Sequence, residues 1–157
     1  MLDLPRRLPT IRLAVAIGQT GGVTCPLERI RDAGWEIAEP AHVAANWRDY
    51  QRFIGASRGE FSVAKETYVK GRTGWFSCRS ACYLAAGRPV VTQDTGWTAG
   101  LPAGEGLFAF VDLEGAVDAL TRVVADPVRH SRRAREIAAE HFDSRQVLGR
   151  LLADLNA

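Results

Sequence analysis

The chain has 157 residues, 46% of them hydrophobic and 24% charged, with a net charge of +2. That length favours one domain with a real core, and the balanced charge argues against a dedicated nucleic-acid binder, which concentrates an excess of base. No apolar run approaches the roughly 20 residues that span a bilayer and the lead-in "MLDLPRRLPT" (1–10) lacks a signal-peptide core, so the chain reads as cytoplasmic, and three cysteines, an odd number, argue against a complete disulfide framework.

After the lead-in, "IRLAVAIG" (11–18) is a continuous apolar run, which suits a strand buried on both faces of a parallel sheet. "QTGGVTC" (19–25) reads as a loop. "PLERIRDAG" reads as a short helix with Pro26 near its first turn and Gly34 as its stop. "WEIAEP" is a second strand closed by Pro40, and "NWRDYQRFIGAS" a helix capped by Asn46 with Tyr50, Phe53 and Ile54 inward. "GEFSVAK" is a third strand, and "ETYVKGRTG" a polar loop.

"FSCRSACYLAAG" is helical up to Gly87, "RPVVTQDTG" opens a fourth strand, and "LFAFVD" is a candidate fifth. Asp112 caps a helix with Val117, Leu120 and Val124 at helical spacing. Asp126-Pro127 opens a further helix through His141. Asp143 opens the last, with Gln146 in the capping-box position and Leu148, Leu151, Leu152 and Leu155 inward. Strands alternating with helices predict an α/β fold: a Rossmann-like parallel sheet flanked by helices over 11–157, ending in C-terminal helices. Such sheets bind ligands beyond the carboxyl ends of their strands, so the loops after Gly18, Lys65 and Gln93 are the places to look.

Four chemistries compete. Cys78 and Cys82 share a helix face, but zinc needs more ligands, and His42, His130 and His141 lack ligand spacing, so no metal is expected. The cysteines read as small buried residues. Cys78, beside Arg79, has no histidine near it in sequence to act as the base of a nucleophile. "RHSRRAR" (129–135) reads as the wet face of a helix whose inner stripe is Val128, Ala134, Ile137 and Ala138, with Glu136 and Glu140 as partners.

Anion binding remains. The helix start in "GWFSCRSA" offers free N–H groups and a positive dipole end. Ser77, Arg79 and Ser80 add donors, Gly74 permits close backbone approach, and Lys65, Lys70, Arg72 and Thr73 lie just upstream. This makes a diphosphate cradle. The same residues read equally as a helix cap with solubilising loop cations. Asp94, Thr95 and Gly96 follow the fourth strand, as sugar-hydroxyl contacts or as a simple turn. "GQTGG" fits neither glycine-rich phosphate motif.

"GWFSCRSACYLAAGRPVVTQDTG" resembles the core of the C-terminal, nucleotide-sugar-binding domain of GT-B glycosyltransferases, of the glycosyltransferase family 1 type. It is most similar to the bacterial CgeB-like branch. "WRDYQRFIGASRGEFSVAK", "GLFAFVDLEGAVDAL" and "RAREIAAEHFDS" extend the resemblance over roughly 11–155. The resemblance implies a donor-binding domain that transfers a sugar from a nucleoside diphosphate sugar, with that donor as substrate and no cofactor or metal. Arg79 would neutralise the diphosphate, with Gly74, Ser77 and Ser80 in the same pocket. His42 and Val43, in "AHV", would lie where the base is read by backbone groups.

Where many retaining relatives carry two glutamates, this chain has Trp75 and Cys82, and neither accepts as a carboxylate does. The resemblance also implies an acceptor-binding N-terminal domain, or a separate partner chain, to complete the cleft. The alternative reading is a non-catalytic nucleotide-binding or protein-interaction module derived from such an enzyme.

Overall fold

The computed structural model describes residues 1–18 and 25–155. The loop predicted over 19–25 therefore falls, apart from Cys25, outside the described residues. The chain divides into two compact units, 1–56 and 57–157, where the sequence predicts a lead-in and one domain.

The first unit contains α1 (Leu4–Arg7), β1 (Ala14–Ala16), α2 (Leu27–Asp32), β2 (Glu36–Ala38), α3 (Pro40–Ala44) and α4 (Trp47–Ala56). β1 and β2 pair in parallel, with Val15 opposite Ile37. The lead-in belongs to this unit. Leu4 is fully buried, the Trp35 indole donates to the Leu2 carbonyl, and Arg6 donates to the Asp32 carbonyl. Gly34 stops α2 as predicted: its N–H and that of Trp35 donate back to the carbonyls of Arg31 and Ile30.

Asn46 caps α4 by accepting from the amides of Arg48 and Asp49, and Ile54 is buried, with Tyr50 and Phe53 half-buried. One expectation fails here and another is incomplete. β1 is three residues long with Ala14 and Ala16 exposed, so it is not a strand buried on both faces. Among the described residues β2 is its one partner, which leaves β1 at an edge. Pro40 does not only close β2, because it also occupies the first turn of α3, where its missing N–H costs nothing.

The second unit contains β3 (Glu60–Ser62), α5 (Glu66–Lys70), α6 (Cys78–Ala85), β4 (Val90–Gln93), a 3-10 turn (Trp97–Ala99), β5 (Leu107–Phe110), α7 (Leu113–Ala125), α8 (Pro127–His141) and α9 (Ser144–Leu155). The sheet is parallel, in the order β3-β4-β5. Val91 pairs with both Phe61 and Phe108. As the central strand, β4 buries Val90, Val91 and Thr92, and its apolar run in sequence reflects that. Leu84, Leu107, Ala116, Ala134 and Ile137 are fully enclosed. α6 ends in a Schellman turn, with Gly87 and Arg88 donating to the carbonyls of Leu84 and Tyr83.

Asp112 and Asp126 cap α7 and α8 as predicted. Several facing residues differ. "ETYVK" is one turn of helix, α5, and not a loop. The inner stripe of α7 is Ala116, Ala119, Leu120 and Val123, with Val124 exposed. Val128 is also exposed, and His130 takes its place beside Ala134, Ile137 and Ala138. Arg133 pairs with Glu136 and Glu140 on the wet face of α8, as expected.

The largest correction is α9. Leu148, Leu151, Leu152 and Leu155 are all more than half exposed, and the Gln146 side chain donates to the Ala139 carbonyl in place of closing a capping box. Among the described residues no helix is long and apolar enough to cross a membrane.

Candidate functional site at the carboxyl ends of the 57–157 sheet

The β3-β4-β5 strands end at Ser62, Gln93 and Phe110, and the loops beyond them are tied together. The Gln93 side chain accepts from the Ala64 amide at 3.2 Å. The Asp94 amide donates to the Phe110 carbonyl. Thr95, almost fully buried, donates its hydroxyl to the Trp75 carbonyl at 2.7 Å, and its own carbonyl accepts from the Gly74 amide at 2.9 Å. The 72–75 loop is thereby fixed over the end of β4. Gly96 completes this fit: a Cβ there would lie 3.0 Å from the Arg72 carbonyl oxygen.

α6 begins at this loop. Ser77 is its N-cap, and its hydroxyl accepts from the Arg79 amide at 3.2 Å. The helix ladder starts at Ala81, whose N–H reaches the Ser77 carbonyl, so the Cys78 and Ser80 amides precede it. Phe76 anchors the entry. Its ring stacks on Phe142 at 5.4 Å and meets Trp97 edge-on at 5.6 Å. Gly74, Ser77, Arg79, Thr95 and Gly96 are thus brought to one end of one sheet.

Arg79 is held in a way the sequence does not announce. Its Nε donates to Glu60 Oε1 at 2.5 Å and its Nη2 to Ser62 Oγ at 2.8 Å. Glu60 and Ser62 are two apart on β3 and share a face. The Glu60 side chain is 4% exposed and that of Arg79 is 49%. Glu60 Oε2 is buried and has no hydrogen-bond partner. The carboxylate therefore offsets part of the positive charge that the sequence reading gives wholly to a ligand. Ser80 is fully enclosed and its hydroxyl has no partner, which puts it in the core below the site.

The upstream cations Lys65, Lys70 and Arg72 are all exposed. Lys70 pairs with Glu66 at 2.6 Å. The Thr73 hydroxyl meets the Trp75 amide at 3.4 Å. Asp94 accepts from the Gly96 amide and from Thr98, and so closes its own turn. His42 and Val43 lie in α3 of the first unit, where their amides donate to the Glu39 carbonyl and Val43 is buried. Those two amides are occupied by helix formation.

Cys78 and Cys82 are both exposed, contrary to the core reading, because the buried side of α6 is Ser80, Tyr83 and Leu84. Among the described residues no three His, Cys, Asp or Glu side chains gather as a metal site. Open clefts of about 540 Å³ at Arg88, Val128 and Arg135, and about 370 Å³ at Pro102, Glu105 and Arg122, flank the amino ends of β4 and β5.

Tyr83, four residues after Arg79 on α6, is buried. Burial raises its phenol above the ordinary value; a hydrogen bond with Ser57 opposes this, the Glu60 charge adds to it, and the Arg79 charge opposes it. The folded state therefore favours the protonated phenol. This contribution is fully present below the unfolded value of about 10 and is lost as pH rises through the raised folded value. Urea midpoints measured from pH 8 to 11 should fall less steeply in Tyr83→Phe than in the parent chain. Equal slopes would contradict this assignment.

The structure is thus a mixed α/β chain with small parallel sheets flanked by helices, compatible with a Rossmann-like fold. No protein-family model matches the chain, and no curated protein or solved structure is significantly similar to it.

Proposed function

We propose that the chain is the donor-binding part of a GT-B-type glycosyltransferase that uses a nucleoside diphosphate sugar. One observation carries this reading. The capped start of α6 and the 72–75 and 94–96 loops are hydrogen-bonded together at the carboxyl ends of a parallel sheet. An anion there meets backbone amides and a positive dipole end, with no metal needed to stabilise the leaving group. Arg79 adds a cation held at a fixed orientation by Glu60 and Ser62. Acceptor binding and the catalytic base would come from an N-terminal domain or a partner chain.

The exposed leucines of α9 favour a second reading, an interaction module derived from such an enzyme.

Thermal-shift and calorimetric titrations with UDP, GDP, ADP and dTDP test the first reading. At least one should stabilise the chain, by an amount that grows with its concentration. No effect from any of the four contradicts the donor site. Undiminished binding in a folded Arg79→Ala/Glu60→Gln chain contradicts the role of Arg79 alone.

A further inference from the structure

Among the described aromatic residues of the second unit, Trp75 is the most exposed. Trp97, Phe108 and Phe110 are buried, whereas Trp75 is 41% exposed. A single exposed indole is ordinary on a protein surface. Trp75 differs in how firmly it is held. The Gly74 amide donates to the Thr95 carbonyl, the Trp75 carbonyl accepts from Thr95, and the Trp75 amide meets Thr73 Oγ1. One face of its ring stacks on Tyr68 at 5.0 Å and 17°, supplied by the single turn of α5. Such an indole has already lost much of its rotamer freedom, and 41% of the residue stays in contact with water.

Its surroundings fit a ring-shaped ligand. Val63 and Val111, also exposed, directly follow β3 and β5 at the same end of the sheet. Ser77, the N-cap of α6, lies two residues after Trp75. The residues expected to read a base, His42 and Val43, spend their amides inside α3. Base recognition in the second unit thus has no other aromatic surface of comparable exposure among the described residues.

We infer that Trp75, backed by Tyr68, is a stacking platform for the planar base of a nucleotide whose phosphates face the start of α6. This rests on the proposed donor-site reading and assigns its base subsite. Stacking accepts any base, because every base has a π face, so the platform confers affinity with little base selectivity.

Fluorescence titrations with UDP, GDP, ADP, dTDP, uridine and inorganic pyrophosphate test it. Trp75→Ala should weaken nucleoside diphosphate binding on the order of 10-fold, and Trp75→Phe should retain most of it. Pyrophosphate affinity should be the same in all three chains. Diphosphate binding unchanged by Trp75→Ala would overturn the platform while leaving the donor-site reading intact. Uridine binding that needs Trp75, without any pyrophosphate binding, would support the platform and count against the diphosphate cradle. Absence of all binding would overturn both. Should Trp75→Ala not fold, the indole Nε1–H resonance of Trp75 in the parent chain, assigned by its loss in Trp75→Phe, decides: it should move on adding UDP or uridine but not pyrophosphate, and no movement would overturn the platform.

Discussion

Gly106→Ala should destabilise the 57–157 unit by about 3–5 kcal/mol, from strain at positive φ and overpacking together. Gly106 has φ +70°, and a Cβ there would lie 2.5 Å from the Ala134 amide nitrogen and 2.8 Å from the Arg133 carbonyl carbon. Both are backbone atoms of α8, so no side-chain rotation relieves the overlap and the helix itself must shift. Gly106 also accepts from the Val90 amide, which links that shift to the central strand. Gly74→Ala separates the two causes. Its φ is +72°, yet a Cβ would meet nothing within 4 Å, so only conformational strain of about 1 kcal/mol is expected. Urea unfolding followed by circular dichroism measures both. Equal losses at the two glycines would contradict the close approach of α8.

Arg79→Ala should cost about 2–3 kcal/mol, somewhat below the loss typical of a fully buried pair because the arginine is half exposed. The loss comes mainly from Glu60, whose buried carboxylate is left without its cation. Its second oxygen already lacks a partner. Replacing the carboxylate as well, in Arg79→Ala/Glu60→Gln, should recover about 1 kcal/mol or more, a coupling within the usual range for contacting residues. Additive single and double effects would show that the pair is not coupled. The double variant is also the proper control for ligand binding, because it removes the arginine without stranding a buried charge.

The alternation of strands and helices was legible because Val90, Val91, Leu107 and Phe108 form short continuous apolar runs between capped helices. Helix ends were legible where local chemistry sets them: Asn46, Ser77, Asp112 and Asp126 at starts, Gly34 and Gly87 at stops. Facing was less legible. α9 has the periodicity of a buried helix, yet periodicity shows that an apolar face exists and says nothing of whether this chain covers it. α5 is not legible in sequence because five residues, with only Tyr68 and Val69 apolar, are too few to show a period.

Around the candidate site, the helix start formed by Gly74, Ser77 and Arg79 is legible from capping chemistry. Glu60 is not, because a glutamate opening a strand reads as a solvated residue. Its partner lies 19 positions away and becomes visible only through the fold. Trp75 was noted in sequence only for the carboxylate it replaces. Its rigidity depends on Thr95, 20 positions on, and on Tyr68 in the missed helix.

The central claim is that the carboxyl end of the β3-β4-β5 sheet holds a nucleoside diphosphate. Amide chemical-shift mapping of the nitrogen-labelled chain, titrated with UDP, GDP, ADP and dTDP in turn, tests it most directly. The account predicts saturable shifts centred on the amides of 74–80 and 94–96 for at least one of the four. Shifts confined to Arg88, Arg132 and Arg135 at the opposite end of the sheet, or none with any nucleotide, would contradict it.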